Sequence, residues 1–283
     1  MKTALLISRG MISISGEDRF SFLQGLVTGN MAHVEKGDAV YAALLTPQGK
    51  FLHEMFIVPH GERILLDCDK QRAEDLCKRL TMYRLRSKVE TTVLDDMQVM
   101  AAWNGSAPVG GAVVISDMRL PELGMRFYGS EENLPEATAT EAEYHHLRLT
   151  HGVPDGNDLI PEKSFLLEWG FDQLGGVDYE KGCYVGQEVT ARTHYRGHVK
   201  KAPYQVKTEN GNALPQAGEE VFCGETKIGE LRSSQSDIGM ALLRIEEVEK
   251  SRDSGMPLRI GDEVITVQLP AWYKVAAASA QQK

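Results

Sequence analysis

The 283-residue chain has no apolar run approaching the about 18 residues that a membrane-crossing helix needs, since stretches such as Val40 to Leu45 are short and interrupted by Tyr41. A membrane-spanning segment is therefore not expected. Its four cysteines, Cys68, Cys77, Cys183 and Cys223, have no C-x-x-C spacing and are too sparse for a disulfide scaffold, which leaves free thiols in a reducing compartment. Positive charge is in deficit: 31 Lys and Arg stand against 40 Asp and Glu, a formal net charge of -9. Affinity dominated by phosphate neutralisation needs clustered Lys and Arg, so direct nucleic-acid binding is not expected. No G-x-x-x-x-G-K-[ST] loop is present, which argues against nucleotide hydrolysis. The segment Met1 to Arg9 lacks a small-residue cleavage site and the Arg-rich, Ser-rich pattern of an organelle presequence, so a cytoplasmic protein is expected.

What remains is an ordinary globular composition, 42% hydrophobic and 25% charged, long enough for about two domains. Ser15 to Asp18 offers a helix start, with Phe20, Leu23 and Val27 at helical spacing before Gly29-Asn30. Ala39 to Thr46 and Lys50 to Val58 flank Pro47-Gln48-Gly49 and read as a hairpin. Arg63 to Cys68 reads as a strand, and Ala73, Leu76, Cys77, Leu80 and Tyr83 mark a helix whose other face carries Glu74, Asp75 and Lys78. Val89 to Leu94 and Met97 to Trp103 are further strands, and Thr140 with Glu143 makes a capping box for a helix ending at Gly152. The order points to an α+β region with helices on one face of a sheet. The last quarter changes character: Ala202 to Thr208, Glu220 to Cys223, Lys227 to Arg232, Met240 to Ile245 and Val264 to Leu269 are short strands between turn residues, the pattern of a small antiparallel barrel. A boundary between Gly197 and Ala202 divides 1–199 from 200–283, and the tail Ala276 to Lys283 is expected to fray.

Chemistry concentrates in Lys181-Gly182-Cys183-Tyr184-Val185-Gly186-Gln187-Glu188. A thiol bracketed by glycines, with Lys181 two residues before it, suits a nucleophile or soft ligand whose pKa is lowered by the ammonium; a turn with an inward-packed Cys is the other reading. His145, His146, His151, His194 and His198 lie in the same half; His145 and His146 have no partner at metal-binding spacing, and His194 and His198 have the four-residue interval but Gly197 between them opposes an aligning helix, so no metal ligand is assigned. Asp155 and Asp158 read as Asx-turn residues rather than half of a calcium loop. On a strand, only one of His53 and Glu54 can face a cleft.

The octapeptide resembles the signature K-G-C-[FY]-x-G-Q-E of the YgfZ-type folate-binding proteins. Ile14 to Asp18 with Phe22-Leu23-Gln24, the hairpin Leu45 to Lys50, Arg148-Leu149 before Gly152-Val153-Pro154, and Gly224 to Gly229 follow in the family's order, so nearly the whole chain is covered. The hairpin variant looks most like bacterial relatives of the family's mitochondrial iron-sulfur assembly factor. The resemblance implies a fold like that of the glycine cleavage T-protein: two ferredoxin-like N-terminal lobes and a C-terminal β-barrel around a central channel. It implies a monomer that binds tetrahydrofolate or a one-carbon derivative and supports assembly or repair in iron-sulfur enzymes, with an indirect effect on tRNA modification. Cys183 would be the functional thiol with Lys181 beside it. Gly182 and Gly186 would permit close approach, and Tyr184, Gln187, Glu188 and Arg192 would complete the ligand contacts. Where the T-protein has an acidic pair this chain has His53-Glu54, and where it has Arg-Leu-Glu this chain has Arg148-Leu149-Thr150. These departures weigh against the alternative, folate-dependent aminomethyl transfer or demethylation, and leave Glu54 or Glu188 to anchor a pterin.

Overall fold

The computed structural model describes residues 1–105, 111–197 and 199–275; His198 and the tail 276–283 lie outside them. The chain opens with β1 (Lys2–Leu5) and β2 (Arg9–Ser15), two short helices α1 (Arg19–Gln24) and α2 (Met31–Glu35), then β3 (Val40–Leu45), β4 (Phe51–His60) and β5 (Arg63–Asp69). Next come α3 (Ala73–Tyr83), β6 (Glu90–Leu94), β7 (Gln98–Trp103), β8 (Val113–Ser116), β9 (Met125–Gly129) and α4 (Glu141–Thr150). The helix α5 (Gln187–Arg196) leads into β10 (Lys201–Thr208), β11 (Glu220–Cys223), β12 (Thr226–Gln235), β13 (Ile238–Arg244), α6 (Ile245–Ser254), β14 (Leu258–Ile260) and β15 (Glu263–Gln268).

These strands form three sheets. One is five-stranded in the order β3-β4-β5-β2-β6, one four-stranded in the order β1-β7-β9-β8, and β10-β13-β12-β11-β14-β15 close into an antiparallel barrel. The expected α+β architecture with a C-terminal barrel is what the chain adopts. The five-stranded sheet is buried on both faces, and strand alternation divides β4 between them. Met55 and Ile57 pack under α1, α2 and α3, while Phe56 and Val58 join the second core with Tyr41, Trp103 and Trp169. His53 and Glu54 follow the same rule, and each lies on a different side of the sheet.

The first helix is shorter than the spacing of Phe20, Leu23 and Val27 predicts. It stops at Gln24, because Val27 bridges to Leu44 and the buried Thr28 hydroxyl accepts from Ala43 N and donates to Gly176 O. Tertiary hydrogen bonds to β3 outcompete another helical turn. The capping box of α4 forms as expected, with Thr140 Oγ1 accepting from Glu143 N at 3.2 Å. The barrel is fastened to α4 by Gln205 Nε2, which donates to the carbonyls of Leu149 and Thr150 at 3.0 and 2.7 Å. Leu149 O also accepts from Gly152 N at 3.0 Å at the helix end, and the barrel supplies the partner of the Thr150 carbonyl.

Candidate functional site

Residues 181–186 form a loop laid across the turn between α1 and α2, and Gln187 and Glu188 open α5. Lys181 Nζ donates to the carbonyls of Val27 and Gly29 at 2.5 and 2.7 Å, Gln24 Nε2 donates to Lys181 O at 2.8 Å, and Val185 N donates to Gly25 O at 3.1 Å. The expectation that Lys181 activates the neighbouring thiol is therefore corrected: its ammonium is turned inward and positions the loop. Burial lowers the Lys181 pKa to about 8. Tyr184 is buried beside it, with Nζ 5.2 Å from the ring centre, and burial pushes its phenol up to about 12. Cys183 lies between these two anchors and is exposed, whereas Cys68 is buried and Cys77 and Cys223 are half-buried.

The two glycines of the loop differ in purpose. Gly186, the residue before α5, has φ +84°, and a Cβ there would sit 2.5 Å from Thr46 O. It lets the loop close onto the hairpin, where Gly49 in turn approaches Val189. The two motifs singled out in the sequence thus pack against each other. Gly182 has φ +92° but open space where its Cβ would be, so it serves backbone conformation rather than close approach. Gln187 donates its backbone N–H to Tyr184 O at 3.2 Å and closes the turn. Glu188 and Arg192 bond to each other at 2.7 Å with side chains 82% and 69% exposed, so they form a solvent-facing pair rather than ligand contacts.

Glu54 belongs to a different place. It is 3% exposed and is bonded by Arg9, which also reaches Asp67 at 2.6 Å. Asp67 on β5 accepts from Arg126 on β9 at 2.7 Å, and Arg126 also reaches Asp117, which Arg119 grips through Nε and Nη2 at 2.9 and 2.7 Å. Tyr128 and Tyr144 donate to Asp67 and Asp117. Burial works against a charged Asp117, yet Arg119 and Arg126 hold it well below the usual carboxylate range. Arg126 and Arg119 also lie over the Phe56 ring, at 3.9 and 5.0 Å from its centre. At the edge of this network Arg148 pairs with Asp158 at 2.6 Å and with Asp155 at 3.1 Å, so these two aspartates do more than shape a turn. Sequence spacing missed this cluster, whose members run from residue 9 to residue 158. The signal available was a lone charge inside an apolar strand, as at Asp67 and Arg126, which requires a buried partner.

The structure does not gather the expected residues around one cavity. The space inside the charged network, lined by Arg9, Arg119 and Arg148 among others, is about 50 Å³. A cavity of about 210 Å³ beside α5 is lined by Gly49, Phe165, Val189 and Thr190, and one of about 240 Å³ lies between residues 158–169 and the barrel. Cys183 lines none of these three. Among the described residues, no three His, Cys, Asp or Glu side chains converge as a metal site.

Residues 200–275 match the C-terminal β-barrel domain of CAF17. Over the full fold the chain superposes on the glycine cleavage system aminomethyltransferase T of Bartonella henselae with a TM-score of 0.74, covering 97% of this chain and 86% of that one at 15% identity. That likeness establishes a T-protein-like fold. Mitochondrial proteins named iron-sulfur cluster assembly factor IBA57 homolog are similar throughout: that of Coccidioides immitis is 28% identical over 95% of this chain and 82% of its own length. The Pyricularia oryzae protein is 34% identical over 85% and 71%, and that of Mycosarcoma maydis 32% over 89% and 76%. These relatives overturn the cytoplasmic expectation, because all three are mitochondrial. Compartment is set by targeting signals that the composition of a folded region does not carry. By sequence identity and coverage, this chain belongs to the IBA57 family.

Proposed function

We propose that this chain is an iron-sulfur cluster assembly factor in which Cys183 offers a thiolate to a cluster held jointly with a cluster-carrying partner protein. The names of the relatives support the role. The observation that carries it is the exposure of Cys183 on a loop anchored on both sides by Lys181 and Val185. Iron-sulfur clusters are held by four thiolate-type ligands, so a single presented thiol calls for the rest to come from the partner. Cys183→Ser is expected to abolish the visible absorption and circular dichroism of a cluster shared with a cluster-loaded carrier, at unchanged melting temperature. Retention of those bands in the variant overturns the reading.

The narrower placement with the YgfZ-type proteins is part of the same proposal and rests on residues 181–188, as does an indirect effect on tRNA-modifying iron-sulfur enzymes. Division into 1–199 and 200–283 is supported by closure of the barrel between Lys201 and Gln268.

Tetrahydrofolate, which the resemblance implies, has one suitable acceptor at the charged centre, where Glu54 Oε2 is buried without a partner. The room is lacking: the cavity at the charged network, lined by Arg9, Arg119 and Arg148, is about 50 Å³ and holds one or two waters, against the dozen heavy atoms, roughly, of a pterin ring system, and Glu54 does not line it. The centre as packed does not fit the group, and no step of the proposal runs through it. Calorimetric titration with tetrahydrofolate is expected to show no saturable binding that depends on Glu54. Saturable binding that is lost in Glu54→Gln restores the folate reading and, with it, the case for aminomethyl transfer.

A further inference from the structure

The turn that follows α3 projects apolar side chains into solvent. Met82, Tyr83 and Leu85 are 62%, 37% and 89% exposed, three of the eight large apolar side chains that the described residues leave uncovered. Leu85 also has φ +45°, a left-handed conformation that suits glycine or asparagine. A leucine there serves neither the turn nor a core. The turn is nevertheless firmly held. Ser87 N donates to Arg84 O at 2.8 Å and Lys88 N to Asp18 Oδ2 at 2.7 Å, and a Cβ on Gly16 would meet Lys88 O at 2.1 Å, so the end of the loop is clamped against the start of α1.

Charge around this tip has one sign. Residues 76–89 include Lys78, Arg79, Arg84, Arg86 and Lys88 and no acid, in a chain whose net charge is -9. Lys88 pairs with Glu17, and Arg79 with Asp75 and Glu162. Lys78, Arg84 and Arg86 are exposed and enter no ion pair among the described residues. The acids beside the turn are Glu17 and Asp18, both engaged by Lys88, and Glu90, which opens β6. The hollow between Leu85, Arg86, Ser21 and Asp18 is wide and open, unlike a groove that would hold a peptide.

We propose that this turn docks the chain on an anionic phospholipid surface, with Met82 and Leu85 entering the headgroup layer and Lys78, Arg84 and Arg86 meeting lipid phosphates. A projecting apolar tip among cations suits a fluid interface, which closes around it, whereas a protein partner would need a pocket shaped for Leu85 inside an acidic rim. The contact is peripheral and reversible, since no helix among the described residues is long and apolar enough to cross a membrane. It goes beyond the cluster-assembly reading and makes no use of Cys183.

The test is flotation of the full chain with vesicles of phosphatidylcholine and phosphatidylglycerol in about a 7:3 ratio, beside vesicles of phosphatidylcholine alone. Partition onto the anionic vesicles is expected to be at least about tenfold stronger than onto the neutral ones, and to fall steeply between about 0.1 and 0.5 M salt. Each Lys or Arg near such a surface strengthens binding about fivefold, so Arg84→Gln/Arg86→Gln is expected to weaken partition roughly 25-fold. Arg252→Gln/Arg259→Gln, which removes the same charge from the barrel, is expected to change it by less than about twofold. Leu85→Asn keeps a residue suited to the left-handed turn and is expected to weaken partition about tenfold through lost apolar contact. No partition onto the anionic vesicles overturns the proposal and leaves an acidic protein surface as the occupant. Equal losses in the two double variants overturn it too, and partition indifferent to Leu85→Asn overturns the entry of the tip into the lipid. Cys183→Ser is expected to partition as the unaltered chain does, and Arg84→Gln/Arg86→Gln to share a cluster normally in vesicle-free solution, so either reading can fail alone.

Discussion

At the scale of single residues, direction along a strand decides what His53 and Glu54 do. Glu54 faces the charged centre, while His53, 2% exposed, faces α3 and places Nε2 2.9 Å from Asp75 Oδ2. Burial, with a contribution from nearby Arg72, lowers the His53 pKa to about 4, and the bond to Asp75 offsets only part of that. An unfolded histidine titrates near 6.5, so between pH 6.5 and about 4 the unfolded chain binds more protons than the folded one. The stabilisation is fully present above pH 6.5 and is lost as the pH falls toward 4. Urea midpoints measured across this range are expected to drop by the equivalent of about 2–3 kcal/mol, and His53→Gln is expected to flatten the profile. An unchanged slope in the variant assigns the acid sensitivity elsewhere. The alternation itself was legible in the sequence; which of the two faces held arginines was not, because Arg9 and Asp67 are 58 residues apart.

At the scale of elements, the loop 181–188 and the hairpin 45–50 act as one unit. Gly186 is where they touch, with its positive φ and its Cβ position 2.5 Å from Thr46 O. Gly186→Ala adds strain at a left-handed position and a steric conflict with backbone that cannot move without opening the hairpin, a cost of about 1–3 kcal/mol. A lower melting temperature together with weaker cluster sharing by Cys183 is the expected outcome; a lower melting temperature with full cluster sharing shows that the hairpin does not position the thiol. Both motifs stood out from composition alone. Their contact did not, since Thr46 and Gly186 are distant in the chain and nothing local reports the pairing. The helix that begins within the octapeptide was missed for a related reason: α5 has no side-chain cap and begins from a left-handed glycine, so it lacks the usual start signal. The Thr140 capping box, which is wholly local, was read correctly.

At the scale of the molecule, buried ion pairs join the two N-terminal sheets. Asp67 on β5 accepts from Arg126 on β9, and Arg9 on β2 lies on its other side. Such a network contributes little over an apolar core of equal shape, but removing one member leaves charge without a counterion. Asp67→Asn is expected to cost about 3–5 kcal/mol, seen as a lower urea midpoint, while leaving far-ultraviolet circular dichroism near native under folding conditions. A change below about 1 kcal/mol shows that the pairs are dispensable and that apolar contacts alone hold the sheets. Filling the centre with arginine and aspartate also explains how a T-protein-like fold can keep its layers with little open space in the middle. The alternation of apolar residues, the turn chemistry, the capped helix and the cysteine-bearing octapeptide are local properties, and from them the sequence by itself determined the α+β class and the C-terminal barrel and singled out Cys183 as the candidate thiol. The inward turn of Lys181, the filled centre and the exposed tip at Leu85 were decided only by tertiary structure, because burial and charge pairing depend on which distant segments meet, and spacing along the chain carries no record of that.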